Sequence, residues 1–118
     1  MQIISKDQFG ELLDSLFEHD KEVVELMPEV GVNVIALSAA AAVGLSEETK
    51  DDEGNAMYAW VAACCVDDEY NKVFTTEEVG KLPSSVFRKL SDAVIKVNGL
   101  LSNTSVEEAE KNSEEAES

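Results

Sequence analysis

Near the amino terminus, apolar residues recur at helical spacing. Phe9, Leu12, Leu13, Leu16 and Phe17 fall at i, i+3, i+4, i+7 and i+8, which is one face of a helix. Glu11, Asp14, Ser15 and Glu18 take the intervening positions. Ser5 followed by Gln8 is a capping-box pattern, and Asp7 suits the positive end of the helix dipole. The pattern predicts a helix over about Ser5 to Glu18, with the intervening polar residues in water. Two short apolar runs follow, Val23-Val24-Glu25-Leu26 and Val32-Asn33-Val34-Ile35-Ala36-Leu37, the second alternating with Val32, Val34 and Ala36 on one face. Between them, Met27-Pro28-Glu29-Val30-Gly31 places Pro and Gly where a turn wants fixed or positive φ. This predicts a hairpin, and two strands are marginal alone, so the hairpin must lie on helices.

Ser38 opens an Ala-rich helix to about Leu45, in which Ala39 to Ala42 combine high propensity with little bulk. Ser46 to Asn55 is charged, contains Gly54 and reads as a loop or frayed helix end. Ala56 to Val66 carries no charge and includes Met57, Trp60, Val61, Cys64 and Cys65. A helix apolar all round is buried on most sides, so this is the expected central helix, with Trp60 inside. Lys72-Val73-Phe74 reads as a short strand, and Thr75 or Thr76 caps a turn through Glu77, Glu78 and Val79 that Gly80 stops. Pro83 starts the last major helix, whose buried stripe is Val86, Phe87, Leu90, Ala93, Val94 and Val97. Asn98-Gly99 ends it with a left-handed cap. Ile95 falls about 140° from Leu90 and shares the polar side with Arg88 and Asp92.

After Leu101 the composition changes. Residues 102–118 hold one apolar side chain larger than alanine, Val106, with six Glu and one Lys. Ser105-Val106-Glu107-Glu108 has the pattern of a short helix cap. The expected fold is mainly α with a small β-hairpin (α+β): helix, hairpin, then helices. It forms one compact domain over residues 1–101, followed by a disordered acidic tail over 102–118.

Composition narrows the function. At 118 residues and 44% hydrophobic the chain supports one core, which only seven aromatics make aliphatic. The net charge of −16 repels phosphate, so sequence-blind nucleic-acid binding and docking on anionic membranes are excluded. The longest uncharged apolar run, Ala56 to Val66, is well short of the roughly 20 residues that span a bilayer. The opening MQIISKDQF lacks the apolar stretch of a signal peptide. Adjacent Cys64 and Cys65 are badly placed for an ordinary disulfide, so a reducing cytoplasm is expected.

Candidate chemistry is sparse. From Asp67 to Glu78, oxygen side chains fall at loop positions 1, 3, 5, 9 and 12, as in a calcium-binding EF-hand, but Lys72 stands where the sharp turn needs Gly. The same string also reads as a polar turn, a short strand and a helix cap. His19, the sole histidine, lacks partner ligands, and the cysteine pair lacks Cys-x-x-Cys spacing and reads as small buried hydrophobes. With no phosphate-gripping Gly loop and no nucleophile motif, the chain reads as a non-enzymatic module that needs no cofactor. Ile95, the Ala-rich helix face, Leu100 and Leu101 are the candidate partner-binding surface.

The order of elements resembles that of the tail assembly chaperones of long-tailed phages with non-contractile tails. The residues that carry the likeness are Val66-Asp67, Asn71, Phe74-Thr75, Glu77-Glu78, Asn98-Gly99-Leu100 and Glu108-Ala109-Glu110-Lys111-Asn112. They match the family's turn after a buried helix, its Glu-rich capped helix, its Asn-Gly-Leu helix end and its acidic tail. The Ala39–Ala42 run departs from it, since such proteins usually carry charged residues there. The resemblance implies an oligomeric chaperone that binds and solubilises the tape measure protein and yields to polymerising tail tube subunits. It also implies action in the host bacterial cytoplasm and absence from the mature virion.

Family members are commonly made in two lengths by a −1 ribosomal slip, the longer form recruiting the major tail tube protein. Glu110-Lys111-Asn112 can be written GAA AAA AAC, which contains a slippery heptamer, so these three codons are the expected slip site. Two readings from other classes stand beside this one. An acidic inhibitor that mimics DNA would space its carboxylates like phosphates, yet the charge divides as −7, −4 and −5 over residues 1–50, 51–99 and 100–118. A calcium-binding module would use Asp67–Glu78.

Overall fold

A computed structural model describes residues 1–100. Gln8 Oε1 accepts the Ser5 backbone N–H at 2.8 Å, and a single 3-10 turn, Lys6–Gln8, leads into helix α1, Phe9–His19. Strands β1, Glu22–Met27, and β2, Val30–Val34, form the hairpin. Helices α2, Ala39–Thr49, and α3, Glu53–Cys64, run almost end to end. Strand β3, Cys65–Val66, the single-turn helix α4, Thr76–Val79, and helix α5, Ser84–Asn98, complete the order. The fold is mainly helical with one small antiparallel sheet, an α+β arrangement as the sequence predicts.

The sheet has three strands in the order β1-β2-β3. Val24 faces Val32 and Glu22 faces Val34, while Leu26 is left over where the register shifts between Glu25 and Met27. Val24, Val32 and Val34 share the buried face. The two-residue loop Pro28-Glu29 joins the strands, and the positive φ falls on Glu29, at 67°, rather than on the glycine. Gly31 instead lies within β2, where an added Cβ would sit 2.9 Å from the Val24 carbonyl oxygen. A close approach between strands requires that glycine.

Helix α3 is the hub and packs on α2, α4 and α5. It ends at Cys64, two residues before the expected boundary, because Cys65 and Val66 turn extended and pair with Val34 and Asn33. β-branched Val66 fits a strand as well as a helix, and the unpaired edge of β2 supplies its partners. Of the two readings of Ser46 to Asn55, loop or frayed helix end, the structure favours helix ends: α2 continues to Thr49 and α3 begins at Glu53. Charged helix formers there read as loop only because they carry no apolar stripe. The expected strand at Lys72–Phe74 reduces to one bridge between Lys72 and Val66 and a bond from Val73 N–H to Cys65 C=O. The core contains Trp60, Val61, Cys64, Cys65, Val79, Leu90, Ala93 and Val94 with the three sheet valines. Tyr58 and Phe87 meet edge to face at its margin, 5.2 Å between centroids.

Helix α1 stands apart. Among the described residues it buries none of its own side chains and packs substantially only against the turn before it.

Candidate partner-binding surface

The open face of α1 is the most distinctive surface among the described residues. Phe9 is 52% exposed, Leu16 48%, Phe17 38% and Leu13 37%; Leu12 alone of the stripe is half-buried. These five side chains share one face, as the spacing predicts, and that face is open rather than packed into the core. Ile3 and Ile4, also exposed, extend the apolar surface along the preceding segment. Helix α1 is held at its carboxyl end by a polar joint. Tyr70 Oη donates to Glu18 Oε2 at 3.1 Å and accepts from Lys21 Nζ at 3.3 Å. The ammonium also lies 5.6 Å from the Tyr70 ring centroid, a cation–π distance. The hydrogen bond to Tyr70 raises the Lys21 pKa above its ordinary value.

The other sequence-predicted surface residues lie on α2 and at the end of α5. Leu100 packs partly against the core, and its N–H closes the end of α5 on the Ile95 carbonyl at 2.9 Å. Ile95 is half-buried at the helix margin. Leu101 lies outside the described residues, as do Glu110, Lys111 and Asn112. The Ala-rich helix is exposed at Ala39, Ala40, Ala41 and Val43, and Ser38 Oγ caps it by accepting from Ala41 N–H at 3.1 Å.

In the Asp67–Glu78 segment the terminal carboxylates have structural partners. Asp67 Oδ1 accepts the N–H groups of Glu69 at 2.8 Å and Asn71 at 2.9 Å, closing a turn in which Tyr70 takes φ 68°. These bonds, Asn71 first and Glu69 next, hold the Asp67 carboxyl below its usual range. Glu78 Oε1 accepts from Thr75 N–H while Thr75 Oγ1 accepts from Glu78 N–H, a reciprocal capping box that starts α4. Among the described residues no group of three or more His, Cys, Asp or Glu side chains is placed to hold a metal ion.

Burial pushes the Cys64 thiol up to about 11 and the Cys65 thiol up to about 12, so both stay protonated and weakly nucleophilic at neutral pH. His19 is solvent-exposed at the end of α1, within 3.5 Å of Asp20. Sequence reasoning missed Asn98. The left-handed cap expected at Asn98-Gly99 is present, with Gly99 at φ 71°, and Asn98, the last residue of α5, is in addition a clamp. Its Oδ1 accepts from Leu37 N–H at 2.8 Å, and its Nδ2 donates to the carbonyls of Ile35 and Val94. Only its polarity at the end of an apolar stripe signalled such a role.

A shallow groove of about 430 Å³ lies among α2, α3 and the segment 72–78, floored by Ala59, Ala62 and Ala63 and edged by Glu48, Lys72 and Glu78. No helix of the described residues is long and apolar enough to cross a membrane. Comparison with known proteins finds no matching family model, no matching curated protein and no matching solved structure.

Proposed function

We propose that this protein is a phage tail assembly chaperone, which holds the apolar helical surface of a tape measure protein in solution until tail tube subunits replace it. One observation carries the reading: a chain with net charge −16 leaves the apolar face of an amphipathic helix open. The acidity keeps chaperone and bound client dispersed, while the exposed stripe offers a helix-on-helix contact. The motif likeness at Val66-Asp67, Asn71, Phe74-Thr75 and Asn98-Gly99-Leu100 supports the same reading. The proposed site of action is the host bacterial cytoplasm. A slip at Glu110-Lys111-Asn112 would make the longer form that meets the major tail tube protein. Co-expression with the tape measure protein from the same genome tests the function. The soluble fraction of that client should rise with the wild-type chain and fall back with Leu13→Asp/Leu16→Asp. A client equally soluble without the chaperone overturns the proposal.

A further inference from the structure

We propose that the free edge of β1 is a docking site for an extended peptide segment bearing a carboxylate. The segment adds to the sheet as a further strand beside Val23 and Glu25, lies over α5, and sets its carboxylate on Lys89. The site is separate from α1 and does not require the chaperone reading.

The sheet order leaves β1 with a neighbour on one side only. The Val24 carbonyl oxygen turns toward β2, where it lies 2.9 Å from the Cβ position of Gly31. Backbone hydrogen-bonding direction alternates along an antiparallel strand, so the N–H and C=O groups of Val23 and Glu25 turn outward. Lys89 agrees with that direction, its ammonium donating to the Glu25 carbonyl at 3.4 Å. Between this edge and α5 runs a groove of about 320 Å³. On its helix wall, buried Ala93 lies about a turn from Lys89 on one side and from Lys96 on the other.

Three observations say what fits. The open groups of an edge strand accept another strand, whereas a helix has spent its own N–H and C=O groups internally. Ala93 leaves room between the two lysine stems for one apolar side chain, and Val23, 67% exposed, offers a cross-strand neighbour to a β-branched residue. The third is charge. The Glu25 carboxylate is turned back to the hairpin loop, accepting from Glu29 N–H at 3.2 Å, and Glu22 pairs with Lys96 at 3.5 Å. Among the described residues Lys89 belongs to no ion pair, in a chain with 25 acidic side chains. A peptide N–H that takes over the Glu25 carbonyl releases the Lys89 ammonium to the incoming carboxylate, a charge-assisted bond. Asp92 on the same wall repels a carboxylate at the middle of the groove and confines it to the Lys89 end. The register shift after Glu25 limits pairing to the backbone groups of Val23 and Glu25, so the affinity should be weak, with Kd about 0.1–1 mM.

An NMR titration of the full 118-residue chain with the blocked peptide Thr-Val-Thr-Val-Asp tests this. The amides of Val23 and Glu25 and the Lys89 side chain should shift and saturate. Replacing the peptide's Asp by Asn should weaken binding about three- to tenfold, a difference that 1 M NaCl removes. The same peptide N-methylated at alternate residues, in either phase, should not bind, because the added strand needs its N–H groups. Val23→Pro should abolish binding and still fold, since an edge N–H facing solvent is spared by the ladder. If that variant does not fold, the N-methylated peptides decide. Lys89→Ala should bind the Asp and Asn peptides alike. No shift at Val23 and Glu25 with about 5 mM peptide, or equal binding of the N-methylated peptides, overturns the site. So does tighter binding of both peptides to Lys89→Ala, which would make Lys89 a guard of the edge. Edge amides that shift with protein concentration alone would give the edge to a second copy and also overturn it.

Discussion

Asn98→Ala is the substitution from which the described fold should lose most for the fewest atoms removed. The side chain ties the end of α5 to the segment between β2 and α2, through Leu37 N–H at 2.8 Å and Ile35 C=O at 3.3 Å, and its amide also reaches Cys64 Sγ at 3.5 Å. Removing it leaves the partly buried Leu37 N–H without its acceptor, which costs about 1–3 kcal/mol, and the lost donors add about 1 kcal/mol more. The expected total is about 2–4 kcal/mol, a shift on the order of 1–2 M in urea midpoint at ordinary slopes for a domain of this size. Trp60, the sole tryptophan and buried, reports the transition by fluorescence. Asn98→Asp sharpens the test. It keeps the acceptor for Leu37 but points an oxygen at the Ile35 carbonyl, so it should lose at least as much at pH 7. It should recover part of the loss below about pH 4, where a protonated carboxyl donates again. An Ala variant within about 0.5 kcal/mol of wild type, or an Asp variant as stable as wild type at pH 7, would refute the clamp.

Ser91 is buried in α5 with its hydroxyl lacking a partner among the described residues, so Ser91→Ala should raise stability by about 1 kcal/mol in the same urea assay. Gly31→Ala should cost about 1–3 kcal/mol because its Cβ would meet the Val24 carbonyl oxygen at 2.9 Å. Gly44→Ala, with open space around the new methyl in α2, should gain about 0.5–1 kcal/mol by thermal or urea melts. Asp67 has a lowered folded-state pKa, so its contribution is present above the unfolded value near 4 and is lost as pH falls through the folded one. Asp67→Ala should therefore melt lower at pH 7, and its deficit should shrink in acid; a deficit independent of pH counts against the turn bonds. The cysteines run the other way. With folded values of about 11 and 12, their contribution is full below the unfolded value near 8.5 and fades as pH rises through the folded ones. Stability should fall from pH 8 to pH 10, and a thiol reagent should react in native protein far more slowly than in urea.

The sequence reveals periodicity but not what a face meets. The stripes of α1 and α5 are equally clear in the pattern, yet Leu90 and Val94 enter the core while Phe9 and Leu16 stay in solvent. Nothing local separates the two cases, because burial depends on whether another element lies opposite. The cap of α4 at Thr75 or Thr76 was legible, and the structure places it on Thr75 as a box with Glu78, made of interactions within four residues. The switch from helix to strand at Cys65 was not, because the free edge of β2, some thirty residues earlier, decides it. The candidate site divides in the same way. Its residue types on α1 could be read from spacing, while their role as surface required the three-dimensional arrangement. Asn98 was invisible for the same reason, since its partners Ile35 and Leu37 lie more than sixty positions away.

An open apolar helix face couples the conformation of α1 to whatever covers it. Helix α1 has 11 residues, and isolated helices shorter than about 12–15 are marginal in water. Its tertiary support is the Glu18–Tyr70–Lys21 joint at one end, made of exposed polar groups whose net worth is small. Any occupant of the stripe would stabilise the helix and fill the surface in one step, and the apparent stability of α1 would rise with the occupant's concentration by mass action. The core of sheet, α3 and α5 shares none of the stripe residues and is insulated from that equilibrium. A protein built this way can exchange occupants on α1 without unfolding its domain. Amide exchange should accordingly be fast in α1 and slow in α3, and a helix added as occupant of the stripe should slow the α1 amides alone.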